Sequence, residues 1–177
     1  MSRIRMMSLA VLSCLALVSP AHADKTTGQA IDDTTIAAEV KAKLVETKGV
    51  PSTAINVEVS KGRVQLGGFL ETNDEKKAAL AAARSVSGAT KVLDGLVVIK
   101  KDRSAGQAID DTVIQSTLKS KGAAEDASKA WSVNTDVYNG QVLMTGFIHG
   151  AKSRDRATEI AKSIKGVTKV YNKIELE

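Results

Sequence analysis

The stretch Gly62-Arg63-Val64-Gln65-Leu66-Gly67-Gly68-Phe69 returns later in the chain as Gly140-Gln141-Val142-Leu143-Met144-Thr145-Gly146-Phe147. Val64, Leu66 and Leu70 alternate in the first copy, and Val142, Met144 and Ile148 in the second. Each stretch therefore reads as a half-buried strand with one apolar and one more polar face. Lys61-Gly62 and Asn139-Gly140 come just before, and such residues supply the positive backbone angles of a two-residue hairpin turn. Alternating runs, Ile55, Val57, Val59 and Val133, Val137, precede the turns, so each stretch is the expected second arm of a hairpin. Gly68 and Gly146 hold the same place in both arms, where the missing side chain is expected to let a helix come close.

The repetition extends well beyond the strand. Gly28-Gln29-Ala30-Ile31-Asp32-Asp33-Thr34 recurs unchanged as Gly106-Gln107-Ala108-Ile109-Asp110-Asp111-Thr112, an offset of 78 residues. The same offset aligns Asn56 with Asn134, Phe69 with Phe147 and Thr90-Lys91-Val92 with Thr168-Lys169-Val170 without a gap. This is a tandem duplication. The units span 28–100 and 106–177, joined by the polar segment 101–105, which is too short for wide relative movement.

Within a unit, Asp32-Asp33 and Asp110-Asp111 are expected to cap a helix whose Ile36, Val40 and Leu44 recur at intervals of four. Gly49, Val50 and Pro51 end it. The second copy keeps Ile114 and Leu118 but has Gly122 in place of Leu44, so its helix is expected to stop a turn earlier. Thr72 and Glu75 form a capping box for a helix with Ala79, Ala82, Ala83 and Val86 on one face, closed by Gly88. Its counterpart runs from about Ala151 to Ile164, and last strands follow at 92–99 and 170–176. A helical crossover makes the second and third strands parallel. The expected fold class is α+β: two tandem α-β-β-α-β units, each a three-stranded mixed sheet packed against two helices, with the quoted strand at its centre.

Residues 1–23 stand outside the repeat. Arg3 and Arg5 precede an apolar run from Met6 to Val18, and Ala21-His22-Ala23 offers a small-x-small cleavage site, the pattern of an export signal cut after Ala23. The expected location is the periplasm. Val11-Leu12-Ser13-Cys14 loosely resembles a lipoprotein cleavage box, but more apolar residues and the better Ala-His-Ala site follow it. Cys14 is the only cysteine, so a chain cut after Ala23 has no thiol for a disulfide, an iron–sulfur cluster or a nucleophile. No other stretch approaches the roughly 20 apolar residues of a spanning helix, so no transmembrane segment is expected in the mature chain.

Three motifs together resemble the BON domain, named for bacterial osmotically inducible and nodulation proteins. They are Asp32-Asp33-x-x-Ile36-x-x-x-Val40-Lys41-x-x-Leu44, then Gly62-x-Val64-x-Leu66-x-Gly68, then Ala157-x-x-Ile160-Ala161-x-x-Ile164-x-Gly166-Val167-x-x-Val170-x-Asn172. Gly122 and the alanine-rich second helix of the first copy depart from the pattern. The resemblance implies a periplasmic, non-catalytic module that contacts phospholipids or envelope proteins, often under osmotic or envelope stress.

The residues themselves supply no enzyme constellation, cofactor motif or metal set. His149 is the only histidine after residue 23 and lacks a cysteine or second histidine as partner. The doubled aspartates read as helix caps rather than calcium ligands, because no further acidic cluster stands nearby to complete an oxygen shell. Gly67-Gly68 lies within a strand, away from any strand-to-helix loop of the kind that cradles phosphate. Losing Arg3 and Arg5 with the signal lowers the net charge from +5 to +3, no signature of a nucleic-acid binder.

Charge is divided unevenly between the copies. Residues 152–173 carry Lys152, Arg154, Arg156, Lys162, Lys165, Lys169 and Lys173 against Asp155 and Glu159, while the matching stretch 74–95 is close to neutral. Cations in the first turns of a helix oppose its dipole, and an anion there would offset that; phosphate suits both helix-start amides and arginine forks. The phospholipid-binding candidates are Lys152, Arg154, Arg156, Lys162, Lys165 and, as an interfacial anchor, Trp131. The plain alternatives are a solvated helix surface, partly neutralised by Asp155 and Glu159, and a Trp131 that fills core space near Gly122. The expected partners are anionic phospholipid or envelope proteins, and the second reading is a chaperone-like or adaptor protein for unfolded or outer-membrane proteins.

Overall fold

The computed structural model describes residues 27–100, 102, 104–125 and 133–177; residues 1–23, with Cys14 and the expected cleavage site, and Trp131 lie outside the described residues. The first unit consists of α1 (Thr27–Glu46), a short 3-10 turn (Ser52–Ala54), β1 (Asn56–Ser60), β2 (Arg63–Leu70), α2 (Asn73–Arg84) and β3 (Lys91–Val98). The second repeats it as α3 (Ala105–Glu125), β4 (Val133–Tyr138), β5 (Gln141–Ile148), α4 (Ala151–Lys162), β6 (Lys169–Asn172) and β7 (Glu175–Leu176). β2 is central, antiparallel to β1 and parallel to β3, and β5 stands likewise between β4 and the β6–β7 pair. The turn residues Lys61 (φ 54°), Gly62 (φ 74°), Asn139 (φ 51°) and Gly140 (φ 70°) all take positive φ, as a hairpin whose twist matches its strands requires.

One face of each sheet carries its helices. In the first unit Ile36, Val40 and Leu44 of α1 and Ala79, Leu80, Ala82 and Ala83 of α2 close over Val57, Val64, Leu66 and Leu70. The second unit builds the same core from Ile114, Leu118, Ala157, Ala161 and Ile164 over Val142 and Met144. The Thr72–Glu75 box forms in both directions. Gly122 does not end α3, which continues to Glu125; one helical glycine costs about 1 kcal/mol against alanine, and this one is buried in a helix already fixed by Leu118.

The doubled aspartates do not cap. α1 and α3 begin well before them, and α3 is started instead by Ser104 and Gln107, each accepting the other's backbone N–H. Asp33 and Asp111 are buried in the second turn. Asp33 accepts the N–H groups of Lys61 (2.9 Å) and Gly62 (2.8 Å), one on each carboxylate oxygen, and Asp111 does the same for Asn139 and Gly140 (both 2.8 Å). The positive φ values turn two successive amides in one direction, and the aspartate serves both. It ties the first helix of each unit to its hairpin.

β2 and β5 are buried on both faces rather than one. The more polar faces of the two sheets meet each other, so the order of layers is helices, sheet, sheet, helices. At the middle of this seam Gly67 faces Thr145, its own counterpart in the repeat: a Cβ on Gly67 would lie 2.5 Å from Thr145 Oγ1, and one on Gly95 2.9 Å from its Cγ2. Around that point the contacts are paired. Asn56 donates to Asp136 Oδ2 (2.7 Å) and its counterpart Asn134 donates to Glu58, the counterpart of Asp136. Phe69 packs against Tyr138 and Tyr171 at centroid distances of 6.3 and 6.2 Å, and its counterpart Phe147 lies 4.8 Å below the Arg63 guanidinium. Equivalent surfaces thus face each other about a pseudo-two-fold axis, the arrangement of an isologous dimer within one chain. Gly68 (φ 145°) is kept bare by the Ala54 carbonyl oxygen, 2.0 Å from where its Cβ would be; the close approach is made by the 3-10 turn and not by a long helix.

The last strand of the second unit is not continuous but breaks at Lys173-Ile174 between β6 and β7. Gln65, only 1% exposed, repairs the break from the other unit: its Nε2 donates to Lys173 O (2.5 Å) and its Oε1 accepts from Gly146 N (2.6 Å). The side-chain amide acts as a substitute peptide group. Gln65→Leu, which copies Leu143 at the equivalent position, strands both backbone groups and is expected to cost about 3 kcal/mol, read as a lower urea midpoint at unchanged slope; an unshifted midpoint would contradict the bridging role.

Burial at the seam pushes the Asp136 carboxyl above its ordinary value of 3.8, against the opposing pull of the Asn56 hydrogen bond and the Lys119 charge. As pH rises past 3.8 the unfolded chain releases this proton while the folded protein keeps it, so the group's contribution to stability is full below that value and is lost as pH passes through the folded one. Asp136→Asn is therefore expected to match wild type in acid and to exceed it at neutral pH, in denaturation curves taken across that range.

Candidate functional site

α4 buries Ala157, Ile160 and Ala161, spaced by three and four, and so turns Lys152, Asp155, Arg156, Glu159 and Lys162 outward. Its N-cap is Gly150 (φ 86°), with no side-chain cap and no acid in the first turn. α2, at the equivalent place, has the Thr72–Glu75 box with Asp74 and Glu75 in that turn. The second unit's helix start is uncapped and cationic where the first unit's is capped and acidic.

The candidate residues fall into two groups. Lys152, Arg154 and Arg156 cluster at the start of α4. Lys152 is exposed with no carboxylate partner among the described residues, Arg154 Nε lies 3.8 Å from Asp155, and Arg156 Nη1 lies 2.9 Å from Glu159. Lys162 lies ten residues beyond Lys152, about 15 Å along the axis. It sits in the last turn, where a cation suits the dipole. Lys165 follows, lining a groove of 490 Å³ with Asp110, Asp111, Ile114 and Gly166. Here the structure adds Lys121 of α3, whose Nζ donates to Ser163 Oγ (3.2 Å). Nothing in a helix-by-helix reading of charge placed it there. Lys169 lies 4.5 Å from the Tyr171 ring centroid.

The difference between the units lies in their acids as much as in their cations. In the first unit Lys76 pairs with Asp94 (2.7 Å) and Lys43 with Glu46 (3.4 Å). The equivalent cations of the second unit are Arg154 and Lys121, but Asn172 and Ala124 stand in place of the acids. Asn172 donates instead to Arg154 O and Thr158 Oγ1. Glu71 and Glu75 are likewise replaced, by His149 and Ser153. Four acids of the first unit thus have no acidic counterpart in the second; Arg154 has Asp155 as a 3.8 Å neighbour and Lys121 donates to Ser163, in place of the Asp94 and Glu46 partners of the first unit.

His149 Nε2 lies 2.9 Å from Glu177 Oε2. Among the described residues no group of three His, Cys, Asp or Glu side chains stands where it could hold a metal ion, and no helix is long and apolar enough to cross a membrane.

The BON domain family model matches residues 32–100 and 110–177. The chain is similar to osmotically-inducible protein Y of Escherichia coli, 34% identical over 84% of this chain and 74% of that one. It is also similar to the outer membrane lipoprotein DolP of Haemophilus influenzae, 31% identical over 82% and 75%. A solved C-terminal domain of CdsD, a type III secretion structural protein of Chlamydia trachomatis, overlaps 82% of this chain and 67% of its own at 17% identity and a TM-score of 0.33, too distant for any argument.

Restoring one acid to the start of α4 tests whether its cations sit against the dipole. Ser153→Glu, the residue of the first unit, is expected to stabilise the protein by about 0.5 kcal/mol in urea denaturation at low salt, with the gain shrinking as salt is added; a destabilised variant would contradict the electrostatic reading of this helix start.

Proposed function

The chain belongs to the BON-domain family, two copies of the module in tandem, and we propose that it is a non-catalytic, stress-associated module of the bacterial envelope that docks on anionic phospholipid through its second unit. Export by residues 1–23 would place it in the periplasm. One observation carries the docking assignment: the start of α4 has no side-chain cap and no acid in its first turn, and it gathers Lys152, Arg154 and Arg156 where α2 has Asp74, Lys76 and Ala78, the Lys76 there paired with Asp94. Each cation near an anionic membrane surface contributes on the order of 1 kcal/mol, so a group of this size supports reversible, salt-sensitive contact rather than insertion. Lys162 and Lys165, with Lys121, supply a second point of charge, and Trp131 is the proposed interfacial anchor. The first unit supports the second or recruits further components.

The alternative, holding unfolded or outer-membrane proteins, needs an apolar surface. Among the described residues the large exposed hydrophobics are Val45 and Val113, on different units, and scattered single residues of this kind are normal for any surface. The seam that could supply such a surface is closed.

Sedimentation of the mature protein with anionic and zwitterionic vesicles separates the two. Binding is expected to anionic vesicles alone, to fall steeply with salt, and to disappear in Lys152→Glu/Arg154→Glu/Arg156→Glu with its fold intact; binding that ignores salt and survives the triple change would instead favour apolar capture.

A further inference from the structure

We propose that Ser60 and Arg63 of the first unit are positioning residues for the cationic start of α4 in the second, an inference that rests on the reading of that helix start as the membrane contact. α2 needs no such help. Thr72 Oγ1 accepts from Glu75 N (3.1 Å), and Glu75 Oε2 accepts from Thr72 N (3.2 Å) and Glu71 N (2.9 Å). α4 has Gly150 and Ser153 at the places of Thr72 and Glu75. Its first turn therefore combines unpaired amides, a glycine N-cap and opposing cations, three conditions that favour fraying.

What fixes the approach to α4 is β7. This two-residue strand lies parallel to the end of β5, with Phe147 opposite Glu175 and Ile148 opposite Leu176, immediately before His149 and Gly150. The first unit clamps it at two points. Arg63 Nη2 donates to Leu176 O at 2.8 Å while the guanidinium lies 4.8 Å over the Phe147 ring. Ser60 Oγ donates to Glu177 Oε1 at 3.2 Å, and the other oxygen of that carboxylate lies 2.9 Å from His149 Nε2. Both paths, Ser60–Glu177–His149 and Arg63–Leu176–Ile148, end within three residues of Ala151.

The equivalent positions of the second unit carry different side chains. Tyr138 and Gln141 stand where Ser60 and Arg63 stand in the repeat, yet Gln141 Oε1 accepts from Tyr171 of its own unit (3.0 Å) and Tyr138 packs on Phe69. Ser60 and Arg63 thus reach across to the approach to α4, the helix without a box, whereas the Gln141 contact stays within its own unit. Coupling of this sort gives the first unit a physical role at a site made entirely of residues from the second.

The test is hydrogen exchange on the mature full-length protein, comparing wild type, Ser60→Ala/Arg63→Gln and Arg63→Lys, with sedimentation on vesicles of equal parts phosphatidylglycerol and phosphatidylcholine as second readout. In the double variant, amides of residues 150–156 are expected to exchange about tenfold faster or more while those of residues 73–78 in α2 keep their rates, and vesicle binding is expected to weaken several-fold. Arg63→Lys, which keeps a cation over Phe147, is expected to recover part of the protection. Unchanged exchange at 150–156, or equal acceleration in both helices, would overturn the positioning role. If wild type does not sediment with the vesicles, the membrane reading fails on its own, and the exchange comparison still decides the clamp.

Discussion

Thr145 seated in the notch left by Gly67 and Gly95 is the contact on which the rest of the molecule depends. A three-stranded sheet with two helices on one face leaves the other face open, and a unit of this size buries too little surface to stand comfortably alone. Joining the two bare faces removes the deficit for both. The notch requires a residue without a side chain opposite one with a small branched side chain, and it lets the backbones of β2 and β5 approach closely. The fit is not free of cost, since Thr145 Oγ1 is buried without a partner and such a group carries a desolvation penalty.

Two copies that began alike have diverged in complementary ways around that contact. At the seam, Gln65 faces a broken strand that only the second unit has, and Arg63 covers Phe147 while Phe69 receives two tyrosines. On the outer surface α2 has a capping box with Asp74 and Glu75 in its first turn, whereas α4 has no side-chain cap and no acid there. The two helix starts differ accordingly: α2 is held by its own capping box, and α4 carries exposed positive charge at an uncapped start.

Much of the fold was legible in the chain because it rests on short-range chemistry. The alternation of Val64, Leu66 and Leu70, the Lys61-Gly62 turn and the Thr72–Glu75 box each follow from neighbours in sequence, and all three stand as expected. What was misread depends on partners distant in the chain. Asp33 resembles a cap locally, but its ligands are amides 28 and 29 residues on. Gln65 and Gly67 read as the wet side of a strand because the second sheet that covers them is invisible to periodicity. The break at Lys173 is tolerated only because Gln65 fills it. The cationic surface was partly legible: α4 could be read by itself, while the approach of Lys121 to Ser163 and the place of Asn172 against Arg154, where the first unit pairs Asp94 with Lys76, needed the fold.

The proposed membrane contact through the second unit is tested most directly by nuclear magnetic resonance of the labelled mature protein titrated with nanodiscs of anionic lipid, with zwitterionic discs as the control. Anionic discs should perturb amides at the start of α4 and around residues 162–166, and leave the equivalent amides of α2, residues 73–84, in place. Perturbation spread equally over both units, or centred on the seam residues Phe69, Leu143 and Tyr171, would contradict membrane contact through the second unit.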